Sequence, residues 1–135
     1  MNCTACKHAI VTTKIIKEDV HFEIELNYSN CRTKNVIYLC KCSCPKWYVG
    51  KTTRQIRTRI LEHKSRIRNN VMEAPMTKHL IDAGHSEEDL QFLVIKVLKR
   101  MPFHHQNIEQ MLLKEENYFI HRLQTLTPEG MNLSL

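Results

Sequence analysis

Residues 35–52 read NVIYLCKCSCPKWYVGKT, and this stretch decides the fold. Asn35 to Cys40 is β-branched and aromatic, the composition of a strand. Cys42-Ser43-Cys44-Pro45-Lys46 turns the chain, Trp47 to Val49 runs back, and Gly50 closes the return. The pattern predicts an antiparallel hairpin with Tyr38 and Tyr48 on adjacent strands, able to aim both hydroxyls at one spot. Two ordinary core aromatics would satisfy the same pattern.

Working outward, the next segment is the most basic in the chain. From Lys51 to Arg68 there are seven Lys or Arg residues against one acid, Glu62, a charge of +6. The whole chain also carries +6, so the remainder balances at 13 basic and 13 acidic residues. A charge excess confined to one element beside paired tyrosines points to a polyanion handled at a chemical site. Thr52 with Gln55 three residues later reads as a capping box for a helix that fades near Asn69-Asn70. Ile56, Ile60 and Ile67 fall on one face of that helix. Arg59 lies on the flank of this stripe, where a guanidinium can reach the sheet edge and clamp a phosphate oxygen. Arg57 projects from the opposite flank. For Arg54, Arg57, Arg66 and Arg68, as for Lys51, plain phosphate or solvent contact is expected. His63 falls within the apolar stripe, so its imidazole needs a partner: a catalytic hydrogen bond, zinc, or a core hydrogen bond.

Around this centre the chain is a small α/β, more strictly α+β, domain: strand, hairpin, helix, short helix, strand, long helix. At 135 residues and 42% apolar content it can bury a core. Val20, Phe22, Ile24 and Leu26 alternate with polar residues as in a half-buried strand, after a cysteine-containing lead-in. Met76 to Ala83 reads as a short helix stopped by Gly84. Phe92 to Leu98 reads as a strand covered on both faces, and Asn107 to Leu123 as the last helix. On that helix Glu116 has Leu112, Leu113, Phe119 and Ile120 at i−4, i−3, i+3 and i+4, so its carboxylate projects from the buried side. A bound cation would relieve such burial. Glu115 has similar neighbours, and periodicity does not choose between them.

No apolar run approaches the roughly 20 residues that cross a bilayer, and the first ten residues lack a secretory pattern. The expectation is an intracellular, nuclear protein with no membrane partner. In that compartment six cysteines read as metal ligands or free thiols rather than disulfides. Cys42-x-Cys44 with His79 and His85 could form a Cys2His2 zinc site tying the hairpin to a loop, against the alternative of reduced, buried thiols. Cys3-x2-Cys6 is a second half-site with Cys31 as third ligand and His8 or His21 as fourth. Cys40 reads as a small core residue. A RING-type ubiquitin ligase is excluded because the chain lacks a second Cys-x2-Cys pair.

These residues together resemble a known family. Val36-Ile37-Tyr38, Tyr48-Val49-Gly50-Lys51-Thr52, Arg59, His63, Glu116 and Asn132 look like the GIY-YIG nuclease domain. The variant they are most similar to is the endonuclease domain of Penelope-like retroelements, which shares Cys-x-Cys between the tyrosines. Ala83-Gly84-His85-Ser86 and the ending Leu126-Thr127-Pro128-Glu129-Gly130-Met131-Asn132 look similar too. Val36 stands where the family has glycine. The resemblance covers roughly residues 31–133 and divides the chain into a cysteine-containing extension, 1–30, and a nuclease domain, 31–135. It implies a small three-stranded antiparallel sheet flanked by helices. It further implies a DNA endonuclease in which Tyr38 helps deprotonate water and Tyr48 positions water or phosphate. His63 is then a hydrogen-bonder, Glu116 the ligand of Mg2+ or Mn2+, and Asn132 a pin for the C-terminal segment. The family variant also carries a two-cysteine, two-histidine set, and its parent element joins the domain to a reverse transcriptase. A non-catalytic, zinc-stabilised nucleic-acid-binding module and a structure-specific repair nuclease are the competing expectations.

Overall fold

A computed structural model describes residues 14–17, 20–23, 31–44, 46–98, 107–127 and 129–132, the first two segments as backbone only. A small hairpin comes first, β1 (Lys14–Lys17) antiparallel to β2 (Val20–Glu23). The strand expected from Val20 is described as far as Glu23, and its partner β1 was not anticipated. Then follow β3 (Val36–Cys42), β4 (Trp47–Thr52), α1 (Ile56–Arg68), α2 (Pro75–Ala83), a 3-10 turn (Glu87–Asp89), β5 (Leu90–Val97) and α3 (Ile108–Leu123). The main sheet has three antiparallel strands in the order β4-β3-β5.

Strand alternation divides the side chains of β3 between two apolar layers. Ile37 and Leu39, with Trp47, Val49, Leu93 and Ile95, pack against Leu112, Phe119, Ile120 and Leu123 of α3. Val36, Tyr38, Cys40 and Cys42, with Leu90 and Phe92, pack against Ile56 and Ile60 of α1 and Met76 and Leu80 of α2. As the central strand, β3 is buried on both sides, and Cys40 is a core residue as expected.

Two local readings need correction. β4 does not stop at Gly50 but continues to Thr52, because Gly50 pairs opposite Tyr38 in the ladder. The capping box at Thr52 and Gln55 does not form. Thr52 ends β4, its hydroxyl accepting from the backbone N–H of Arg54, and Gln55 precedes the helix with no side-chain cap. The first helical N–H groups instead donate to backbone carbonyls, Ile56 to Thr33 (3.0 Å) and Arg57 to Cys31 (2.8 Å). A tertiary partner thus takes over the orphan donors that a side chain would otherwise satisfy. α2 does end at Gly84 in the left-handed region (φ 70°), and α3 is capped by the Asn107 side chain.

The C-terminal segment covers the outer edge of β4. The side-chain oxygen of Asn132 accepts from the Val49 N–H (2.9 Å) and the Thr125 hydroxyl (2.7 Å), and its NH2 donates to the Val49 carbonyl (2.9 Å). Met131 N–H donates to the Trp47 carbonyl (2.8 Å). One side chain thereby satisfies both outward-facing backbone groups of a fully buried edge residue. Asn132→Ala strands those groups, and each orphaned buried group costs about 1–3 kcal/mol. We therefore expect a loss of about 3 kcal/mol in denaturant unfolding, and an Asn132→Ala chain as stable as the parent would refute this role.

Candidate functional site

Tyr38 and Tyr48 lie on the same face of the sheet, ring centroids 6.4 Å apart, the face that α1 covers. Their placement follows from the register: Tyr38 opposes Gly50, and Tyr48 opposes Cys40. Gly50 matters here for space rather than for backbone freedom. A Cβ at position 50 would overlap the ring and hydroxyl of Tyr38. Gly50→Ala should cost about 1–3 kcal/mol from overpacking and displace the Tyr38 hydroxyl. A melting temperature and a site assay unchanged by this substitution would contradict that geometry.

From α1, two residues one turn apart reach the Tyr38 hydroxyl. His63 Nε2 lies 2.7 Å from it, and Arg59 Nε donates to it at 3.2 Å. Since Arg59 can only donate, the phenolic oxygen accepts there and its own proton is directed at Nε2. His63 is neutral: burial, then the charges of Arg59 and Arg66, push its pKa down to about 3. It thus has a lone pair to offer across the physiological range. Its ring also packs parallel to Phe92 at 6.1 Å and edge-on to Tyr48 at 5.9 Å. Burial raises the Tyr38 phenol well above its ordinary value, with Tyr48 adding to the rise and Arg59 opposing it. Tyr48 is also raised, by burial first, with Arg59 opposing and the Glu116 charge reinforcing.

Glu116 belongs to α3 on the opposite side of the sheet, yet its charge bears on Tyr48 because β4 is the edge strand. Its Oε1 lies 3.3 Å from Lys51 Nζ, and the side chain is only 14% exposed. Glu115 turns the other way and pairs with Lys96 on β5 at 3.3 Å. The two candidates that periodicity left equivalent are therefore separated: Glu116 lies toward β4, the strand that carries Tyr48, and Glu115 toward β5. Tyr38, Tyr48, Arg59 and His63 converge, while the Glu116–Lys51 pair lies across β4 from them, its charge still felt by Tyr48.

The remaining cations are arranged differently from one another. Arg54 pairs with Glu62, which also accepts from Arg59, and Arg68 pairs with Glu87. Arg57 donates to the Gln55 side chain. These contacts are at the surface, where ion pairs are worth little and exchange readily for phosphate.

A second constellation lies at the turn end of the hairpin. Ligand atoms of Cys42, Cys44, His79 and His85 all fall within 4.8 Å of one another, a group that could hold a metal ion. His79 Nε2 sits 3.2 Å from Cys44 Sγ and 3.4 Å from Cys42 Sγ, and the two imidazoles stack at 5.7 Å. Burial and the neighbouring His85 lower the pKa of His79, favouring the neutral form a metal requires. Of the expected second set, Cys3, Cys6 and His8 lie outside the described residues, as does the side chain of His21. The carbonyl of Cys31 caps α1.

Phe92, packed against Tyr38 and His63, joins the site, and Thr125 braces Asn132 at the β4 edge, neither having been singled out in the sequence. Phe92 reads there as one more apolar residue of a strand, and Thr125 has no pattern around it at all. Among the described residues no helix is long and apolar enough to cross a membrane. No protein-family model, curated protein or solved structure matches the chain.

Proposed function

We propose that this chain is a metal-dependent DNA endonuclease of the GIY-YIG type, of retroelement origin. The observation that carries the reading is the hydrogen-bonded group on one sheet face. A phenol fixed between a neutral imidazole and a guanidinium, beside a second phenol that also feels the charge of a carboxylate across the edge strand, suits hydrolysis of a phosphodiester.

The attacking water gives its proton to the Tyr38 oxygen as Tyr38 passes its own proton to His63 Nε2. The resulting hydroxide forms the new P–O bond. The bond from phosphorus to the leaving sugar oxygen breaks, and that oxygen takes a proton from solvent. Arg59 supports the extra negative charge on a non-bridging oxygen, and Tyr48 orients the phosphate. His63, neutral at rest, offers the lone pair that takes the relayed proton. Because burial and Arg59 make it a weak base, it holds that proton only in passing and releases it to solvent before the next turnover.

Glu116 would hold the divalent ion, Mg2+ or Mn2+. It fits as a mostly buried carboxylate whose charge reaches Tyr48 and whose partner, Lys51, is 37% exposed and can swing away to solvent or phosphate. A hydrated ion held by one carboxylate is ordinary for magnesium, and when bound it would neutralise phosphate charge. The second metal is zinc, on Cys42, Cys44, His79 and His85, with a structural role suited to a closed thiolate and imidazole set. Lys51, Arg54, Arg57, Arg66 and Arg68 supply phosphate contacts along the basic helix. DNA is the substrate, and a nuclear location follows from it.

Supercoiled plasmid with Mg2+ or Mn2+ is the test. Conversion to open circle that stops on chelation supports the reading. Salt-sensitive binding with no strand scission would overturn it in favour of a binding module, and cleavage confined to branched DNA would redirect it to repair.

A further inference from the structure

The Cys-x-Cys turn and the His85 loop are joined by a single acidic residue. Asp89 ends the 3-10 turn before β5, and each of its polar groups is used. Its Oδ2 lies 3.4 Å from His85 Nδ1 and accepts from the Ser86 backbone N–H at 2.8 Å. Its Oδ1 accepts from the Ser43 hydroxyl at 3.3 Å, and its backbone carbonyl from the Ser43 N–H at 2.9 Å. Ser43 is the residue between Cys42 and Cys44. One residue therefore touches both halves of a ligand set that comes from positions about forty residues apart in sequence.

We propose that Asp89 is the positioning carboxylate of the metal centre, holding His85 by Nδ1 so that Nε2 faces the metal and fixing the cysteine turn through Ser43. This rests on the reading that the four ligands take zinc. An imidazole has two nitrogens, and a carboxylate on one of them selects which stays open for the ion and makes it a better donor. His79 needs no such help, because its Nε2 already faces both sulfurs. His85 lies just past the end of α2, its backbone N–H bonded to the Leu80 carbonyl (2.9 Å), so its ring depends on an outside contact for orientation. The contacts to Ser43 extend the same restraint to the cysteine side.

The test is metal binding, not cleavage. Zinc affinity is measured by competition with a chromophoric chelator, cobalt(II) absorption reports tetrahedral geometry, and long-range 1H–15N NMR on the zinc-loaded chain reports the His85 tautomer. We expect Asp89→Ala to weaken zinc about 10–100-fold. Asp89→Asn, which keeps the acceptor and the turn but loses the charge, should show a smaller loss in the same direction and serves if the alanine variant does not fold. His85 in the parent should carry its proton on Nδ1 and the metal on Nε2. A parent that binds zinc with metal on Nδ1, or Asp89 variants that bind as tightly as the parent, overturns the assignment. A parent with no tetrahedral cobalt spectrum overturns the zinc reading itself, and the inference with it.

Discussion

Tyr38→Phe should lower plasmid nicking by about 10²–10⁴-fold, the range of a lost proton-transfer group, and cost about 1–3 kcal/mol of stability for the buried His63 nitrogen left without its partner. The substitution removes one oxygen from a residue whose ring stays packed against Phe92 and Tyr48. That oxygen is also where the His63 and Arg59 contacts meet, so its loss disconnects both from the reacting water. Arg59→Ala should cost about 10²–10³-fold for the lost charge stabilisation. Glu116→Gln should abolish metal-dependent cleavage while leaving DNA binding intact. The pH profile offers a separate check. His63 stays neutral down to about pH 3, so activity should show no inflection near the usual histidine value of 6.5. A rise with pH, set by deprotonation of water or phenol, is expected instead. Full activity in Tyr38→Phe, or a Glu116 variant that cuts as well as the parent, would sink the nuclease reading.

Removing the metal should have the largest effect on stability. Structural zinc in finger peptides is worth roughly 10–16 kcal/mol of binding free energy, which rivals the roughly 5–15 kcal/mol net stability of a whole domain. Much of that is realised only if the unliganded chain unfolds locally, so a loss of about 3–4 kcal/mol is the expectation for Cys44→Ser. That corresponds to a fall in Tm of about 10–15 °C for a domain of this size. Chelation of the parent should match it. Cys40→Ala is the control: a buried core thiol outside the ligand group, it should lose packing energy but keep one zinc per chain. Identical melting with and without chelator, together with no zinc by elemental analysis, would defeat the structural-metal assignment.

The hairpin was legible because its two signals agree. β-branched and aromatic runs define β3 and β4, and the intervening turn residues fix their order, so both tyrosines fall on one face. The helices were legible from apolar spacing, and α2 from its glycine stop. What spacing does not carry is the identity of a partner from elsewhere in the chain. The start of α1 was misread because its N–H groups are met by the carbonyls of Cys31 and Thr33, a contact no local pattern announces. Glu115 and Glu116 were inseparable for the same reason: one turn of helix places either near the sheet, and only the neighbours Lys96 and Lys51 tell them apart. Asp89 follows Ser86 at capping-box spacing, which could have drawn attention to it. Its reach to Ser43 could not have been read that way.

The amide of Asn132 against Val49 does the work of a missing fourth strand at the margin of the sheet. An uncovered margin would offer hydrogen-bonding groups to any extended peptide, including another copy of the same chain. By occupying those groups with a side chain instead of a strand, the molecule withholds them from such pairing. It does so along the same strand that carries Tyr48 and, through Lys51, holds Glu116.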